Sequence, residues 1–213
     1  MNLTRGAHAC HLYETRGEQR EVTLHFIQEG LARGEYCLHV TSDSSVDDWY
    51  NAFQAPDIDV LSERIRGGLE VLNALDWYQA TDFHSVTQAR RLWQLIDGKL
   101  EHFAGVRLAA DMRWTKEYLP TPGLCHWEAT ANLIFENVDA RAICQYDLEH
   151  HSAAEVHAAL RTHPVVIYNG RSQPNPYYEA PTILANEPFL NDSDADASAI
   201  EAMLRTFRDI PVD

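Results

Sequence analysis

Residues Phe26 to Asp43 read FIQEGLARGEYCLHVTSD, and this stretch decides the fold. Its first half closes a helix over Glu18 to Arg33, with Val22, Leu24, Phe26, Ile27 and Leu31 mostly on one face and Gly34 placed to end it. Its second half is a strand over Tyr36 to Thr41 that runs into small polar residues. Helix, glycine turn and apolar strand make one unit of an α/β chain, and the alternation continues outward. A short strand over Ala7 to Tyr13 precedes the helix, and a short helix over Val46 to Phe53, opened by Ser44 or Ser45 as a cap, follows the strand. Beyond it the pattern predicts a strand over Ile65 to Ala74, a long helix over Ser85 to Phe103 and a strand over Val106 to Met112. A helix over Cys125 to Glu136, a strand over Ala142 to Tyr146, a helix over Ala153 to Arg161 and a strand over Val165 to Tyr168 complete the series. The following NGRSQPNPYYEAP is rich in Pro and Asn and reads as irregular. The expectation is an α/β fold with a mostly parallel central sheet and helices on both faces. Residues 1–185 form one domain, and 186–213 form an acidic linker and a helix over Ala195 to Arg208.

Composition narrows the function. The chain has 213 residues, 45% of them hydrophobic and five of them Trp, enough for a sizeable core. No apolar run reaches the roughly 20 residues needed to span a bilayer, and MNLTRGAHACHLYE is not a secretory signal, so a cytoplasmic location is expected. The formal charge of −15, with seven acids against two arginines in the last 28 positions, disfavours direct contact with nucleic acid or anionic membrane. Four cysteines, at 10, 37, 125 and 144, have no paired spacing and read as free thiols packed in the core.

Candidate functional groups fall mainly at the C-terminal ends of the strands, where ligands bind in open α/β folds. Tyr13 and Glu14 follow the first strand, Asp43 the second, Asp111 to Trp114 a central one, and Gln145, Tyr146 and Asp147 another. Tyr, Trp and a few acids along one rim suit a small, partly apolar ligand. Glu128 and Asn132 are four apart, share a helix face and are placed to bond jointly to one group. If that face is buried, Glu128 needs a partner or a raised pKa. His163, before Pro164, ends a helix and reads as a structural cap there. His8 and Cys10 share one strand face, as do Cys37 and His39 on the next strand, so these four would build a zinc site if the two strands were neighbours in register. Cys10, flanked by His8 and His11, would alternatively be an activated thiol in a redox sensor. No G-x-S-x-G elbow is present, and no catalytic residue or cofactor is assigned.

The run from Phe26 to Asp43 resembles the equivalent stretch of RecA-like ATPases of the KaiC type, in which a phosphate-binding loop lies just upstream. Here that place holds LYETRGEQREVTLHF, with Gly17 alone, no Gly-Lys-Ser/Thr, and acids at Glu14, Glu18 and Glu21. Such a segment repels a triphosphate rather than cradling it. The expectation is a RecA/KaiC-like fold retained without a functional P-loop, and a protein that is not an enzyme.

A narrower resemblance covers nearly the whole chain. His8-Ala9-Cys10 with Tyr13, Gly30-Leu31, Gly34-Glu35 with Cys37, Asp111-Met112-Arg113-Trp114, Trp127-Glu128-Ala129 with Asn132, Cys144-Gln145-Tyr146-Asp147, His163-Pro164 and Asn175-Pro176-Tyr177-Tyr178 with Pro181 recur in the order of the MEDS domain. That is the methanogen and methylotroph sensory domain, also found in a dichloromethane-responsive repressor. Trp127 stands where the family often has Tyr, and Asp111 where Glu is common. The resemblance implies sensing of a simple hydrocarbon derivative and signalling to a histidine kinase or a transcription regulator, with a homo-oligomer left open. Combined with the strand ends, it nominates His8, Cys10, Tyr13, Glu14, Asp111, Trp114, Glu128, Asn132, Cys144, Tyr146 and His163 as ligand-binding. A pure interaction module, docking a kinase or an anti-sigma-type partner through its helices, is the remaining class.

Overall fold

The computed structural model of the chain describes residues 3–181 and 197–208. Seven strands form one sheet: β1 (His8–Tyr13), β2 (Tyr36–Thr41), β3 (Leu69–Asn73), β4 (Val106–Asp111), β5 (Ala140–Asp147), β6 (Val165–Tyr168) and β7 (Arg171–Pro174). Their order across the sheet is β3-β2-β4-β5-β1-β6-β7, parallel except for the antiparallel β6–β7 pair. Helices α1 (Arg16–Ala32), α2 (Val46–Phe53) and α3 (Val60–Ile65) cover one face. Helices α4 (Ala74–Tyr78), α5 (Ser85–Leu100), α6 (Thr115–Tyr118), α7 (Thr121–Phe135) and α8 (Ala153–Thr162) cover the other. The last described helix, Ala197–Arg208, buries Ile200, Leu204 and Phe207 against that second core. Every residue of β1, β2 and β4 is buried, as parallel strands sandwiched between helical layers require.

Local chemistry explains the element ends. Thr15 opens α1 by accepting from the Glu18 N–H, and Gly34, at φ +73°, turns the chain into β2. The expected strand over Ile65 to Ala74 is shorter. Asp59 accepts from the Leu61 and Ser62 N–H groups and starts α3, which takes in Ile65, while Asn73 accepts from the Leu75 N–H and ends β3 by opening α4. Helix α7 begins four residues before the expected Cys125, on Pro120 with Pro122 in its first turn. Strand β5 is longer at both ends than expected. The stretch after Tyr168, expected to be irregular, starts with a hairpin: Asn169 and Gly170 both have positive φ, 50° and 71°, the two-residue turn that matches strand twist. Pro174 is tolerated because β7 lies at the sheet edge. The 185/186 boundary and the linker Asn186 to Asp194 lie outside the described residues.

Beneath α1 a charged group crosses the core. Arg107, on β4, is buried, bonds through Nε to Glu35 and donates from Nη1 to the Phe26 carbonyl and to Glu29, each at 3.0 Å. Gly30 makes this passage feasible: a Cβ there would lie 2.6 Å from Arg107 Cδ and from Cys37 Sγ. Gly30, Glu29 and Glu35, all within Phe26 to Asp43, are thus committed to holding one guanidinium. Arg107→Ala leaves Glu35 in the core with Arg141 Nη1, at 3.5 Å, as its remaining ion-pair partner, so urea unfolding should show a loss of about 3 kcal/mol.

Candidate functional site

Four elements deliver one side chain each to a point between the sheet and α7. His8 comes from β1, Cys144 from the adjacent β5, Glu128 from the middle of α7 and His163 from the residue that ends α8. His8 Nε2 lies 3.3 Å from Glu128 Oε2 and 3.3 Å from Cys144 Sγ. Cys144 Sγ is 3.6 Å, and His163 Nε2 3.5 Å, from the same Glu128 oxygen. All four residues are buried.

The surrounding hydrogen bonds set which atoms face inward. Tyr146 Oη donates to Glu128 Oε1 at 2.6 Å, which leaves Oε2 for the centre. Asn132 Nδ2 donates to the Thr162 carbonyl, so its Oδ1, 3.0 Å from His8 Nδ1, accepts the proton of that ring nitrogen. His163 Nδ1 faces the Ala159 carbonyl at 2.8 Å, which accepts only, and therefore carries a proton too. Its Nε2 has no hydrogen-bond partner among the described residues. Burial and the nearby His163 push His8 below its ordinary 6.5. Burial raises the Glu128 carboxyl, but His163 and His8 outweigh it and hold the group well below the usual carboxylate range. Burial and Glu128 push the Cys144 thiol and the Tyr146 hydroxyl well up.

An aromatic wall adjoins this centre. Tyr78 stacks on Trp114 at 4.4 Å, and Trp127, next to Glu128 in α7, meets Tyr78 edge-on at 6.1 Å. Phe83 packs on both tryptophans, at 5.3 and 5.7 Å. Burial, then Cys144 and Glu128, push the Tyr78 hydroxyl up, and it donates to Met112 Sδ at 3.9 Å. The Trp114 Nε1 donor is buried without a partner among the described residues.

The nominated residues thus divide. His8, Glu128, Asn132, Cys144, Tyr146 and His163 converge, with Trp114 in the adjoining wall. Glu128 and Asn132 share a helix face as expected, and the group they grip jointly is the His8 ring. His163 caps α8 and also reaches the centre. Cys10 pairs with Cys144 across β1 and β5, but its Sγ approaches the Val165 carbonyl at 3.8 Å. Burial, then Glu128, pushes that thiol up, contrary to the activated nucleophile considered above. The four-ligand zinc set His8, Cys10, Cys37 and His39 is also overturned. Strands β4 and β5 separate β2 from β1, and Cys37 packs with Ile27 and Leu31 on the face opposite Cys10. His39 instead bonds the Ala109 carbonyl and packs on Trp49.

At the strand-end rim, Asp111 is buried and gripped by Arg113, whose Nε lies 3.1 and 3.0 Å from its two oxygens, with Arg16 Nη1 at 3.6 Å. Burial raises this carboxyl and Arg113 more than offsets it, so its pKa is lowered. Arg16 and Arg113 also both bond Asp43. Only Glu14 and Thr15 connect β1 to α1, and the Glu14 N–H donates to Glu18 at 2.9 Å. Tyr13 Oη is buried without a partner among the described residues, and Glu14 accepts from Tyr168 Oη at 2.8 Å beside a cavity of about 430 Å³ that Ile200 and Leu204 help to line. Tyr78, Phe83 and Arg16 were not singled out from sequence, since no local pattern separates a wall residue or a rim cation from ordinary core and surface.

The model of one protein family, MEDS, described as the methanogen/methylotroph, DcmR sensory domain, matches residues 7–164. No curated protein matches the chain. No helix among the described residues is long and apolar enough to cross a membrane.

Two further buried rings give a pH signature. Burial pushes His11, which accepts from Gln145 Nε2 at 3.1 Å, down to about 3, and His39 down to about 4. Below 6.5 the unfolded chain takes up protons at these positions while the folded chain does not, so stability is fully present above 6.5 and lost as the pH falls toward 4. Urea titrations should show a decline of roughly 1 kcal/mol per pH unit for each ring, with a shallower slope in His39→Phe.

Proposed function

The chain belongs to the MEDS family of sensory domains, and from that premise we propose that it is a non-catalytic receptor for a small, partly apolar organic molecule, a simple hydrocarbon derivative, that reports occupancy to a histidine kinase, an anti-sigma-type protein or a transcription regulator. The observation that carries this reading is the convergence of Glu128, Tyr146, Cys144, His8 and His163 beside the wall of Tyr78, Trp114 and Trp127. Buried polar groups next to aromatic faces hold a molecule with one hydrogen-bonding end and one apolar end. The unpartnered Trp114 Nε1 supplies a donor that such a ligand would satisfy.

Nucleotide chemistry is the weaker use of this fold. The two-residue β1–α1 connection leaves no loop to wrap phosphate, its Glu14 amide is taken by Glu18, and Arg113 and Arg16 already neutralise Asp111.

A route outward supports the signalling part of the proposal. The His163 carbonyl accepts from Asn175 Nδ2 at 2.7 Å, Tyr177 Oη meets Thr206 Oγ1 at 2.7 Å, and Gln173 donates to the Phe207 carbonyl at 3.3 Å. A displacement of His163 therefore pulls on the segment that holds the helix Ala197–Arg208.

Thermal denaturation against small alcohols, alkyl halides and methylated compounds tests the receptor reading. At a hundredfold excess over Kd, a true ligand should raise Tm by about 5–10 °C, and Trp114→Phe, which keeps an aromatic ring of smaller size and removes the donor, should cut that rise. A panel in which no compound raises Tm would sink the reading.

A further inference from the structure

We propose that His8, Glu128, Cys144 and His163 form a four-coordinate site for a divalent first-row metal ion, zinc by the chemistry of its donors, held between β1, β5, α7 and the end of α8. The site coincides with the proposed ligand-binding centre, but the inference needs no organic ligand.

Distance is the first argument. Zinc bonds of about 2.0–2.3 Å to nitrogen, oxygen and sulfur place the corners of a tetrahedron about 3.3–3.8 Å apart. The separations are 3.3 Å (His8 to Glu128), 3.3 Å (His8 to Cys144), 3.6 Å (Cys144 to Glu128) and 3.5 Å (His163 to Glu128). Every pair of the four inward atoms lies within 4.8 Å. Four of the six edges of one coordination tetrahedron are already at these lengths, and the other two lie within 4.8 Å.

Protons are the second argument. With both Nδ1 atoms committed as donors to Asn132 and the Ala159 carbonyl, both Nε2 atoms and the Glu128 Oε2 face one another. Cys144 Sγ lies within 3.6 Å of two of those three atoms, and His163 Nε2 has the 3.5 Å approach to Glu128 Oε2 but no hydrogen bond among the described residues. A cation at the centre satisfies all four atoms at once. The outer bonds are also those that ligands use: each imidazole N–H held by an amide or backbone carbonyl, and the carboxylate's other oxygen held by Tyr146.

Charge is the third. Metal–sulfur bond formation releases the Cys144 proton to solvent, and thiolate, carboxylate and two neutral imidazoles then balance a dication. A buried site of zero net charge avoids the desolvation cost that a bare ion would carry.

The full chain, produced in zinc-supplemented medium, should carry one zinc ion per chain by elemental analysis. Cobalt exchanged into it should show tetrahedral d–d bands with a thiolate-to-cobalt charge-transfer band that Cys144→Ser removes. Tyr146→Phe, which removes an outer bond and no ligand, should weaken zinc affinity about 10- to 100-fold. If stripping the metal unfolds the chain, refolding on zinc addition supports the site as well. Uptake below about a tenth of an equivalent by folded protein, or bound cobalt without the thiolate band, would overturn the proposal. Zinc loading without any Tm response to organic compounds would refute the receptor reading alone, and a Tm response to an organic compound in folded protein that takes up no zinc would refute this one alone.

Discussion

A carboxylate without access to water organises this molecule. Glu128 sits in the middle of α7, fully buried against the sheet, and an ionised group there is tolerated only if both oxygens are satisfied. Tyr146 takes one oxygen, and the other is shared by His8, Cys144 and His163. That requirement positions α7 over β1 and β5, and draws the end of α8 inward until His163 reaches the same atom. The outer bonds follow: Asn132 reaches both His8 and the Thr162 carbonyl, tying α7 to the strand below and the helix beside it.

The opposite face obeys the same rule with a different charge. Arg107 is carried into the core by β4, and Glu35, Glu29 and the Phe26 carbonyl receive it. Buried charge therefore appears on both sides of the sheet, paired each time by groups from several elements. Such pairs contribute less net stability than an apolar core of equal volume, but they exclude other dockings of α1 and α7, because any shift would leave a charge alone. This is consistent with a sensory domain, in which one helix arrangement must be favoured over its alternatives by a margin that a bound species can alter.

The element pattern was legible because hydrophobic periodicity and capping are local. The helix and strand of residues 26–43, the central strand at Val106 and the shared face of Glu128 and Asn132 follow from spacings of two and four residues. Short competing signals displaced the boundaries that moved. Asp59 and Asn73 divided one expected strand into helix, strand and helix by capping, and the Asn169–Gly170 turn made a hairpin from a stretch whose prolines argued for irregular chain.

By itself, the sequence determined an α/β chain with mostly parallel strands, a net charge of −15, and a set of polar and aromatic residues at strand ends and on one helix face. It also determined that His8 and Cys10 share one face and Cys37 and His39 another. Tertiary structure alone decided that those faces are opposite and that two strands stand between them, so the quartet suggested by spacing is absent. It alone brought His8, Glu128, Cys144 and His163 together across 154 intervening positions. Alternation along a strand is a property of consecutive backbone units, whereas strand order and helix docking are settled by non-local pairing, which leaves no trace in any short window of sequence.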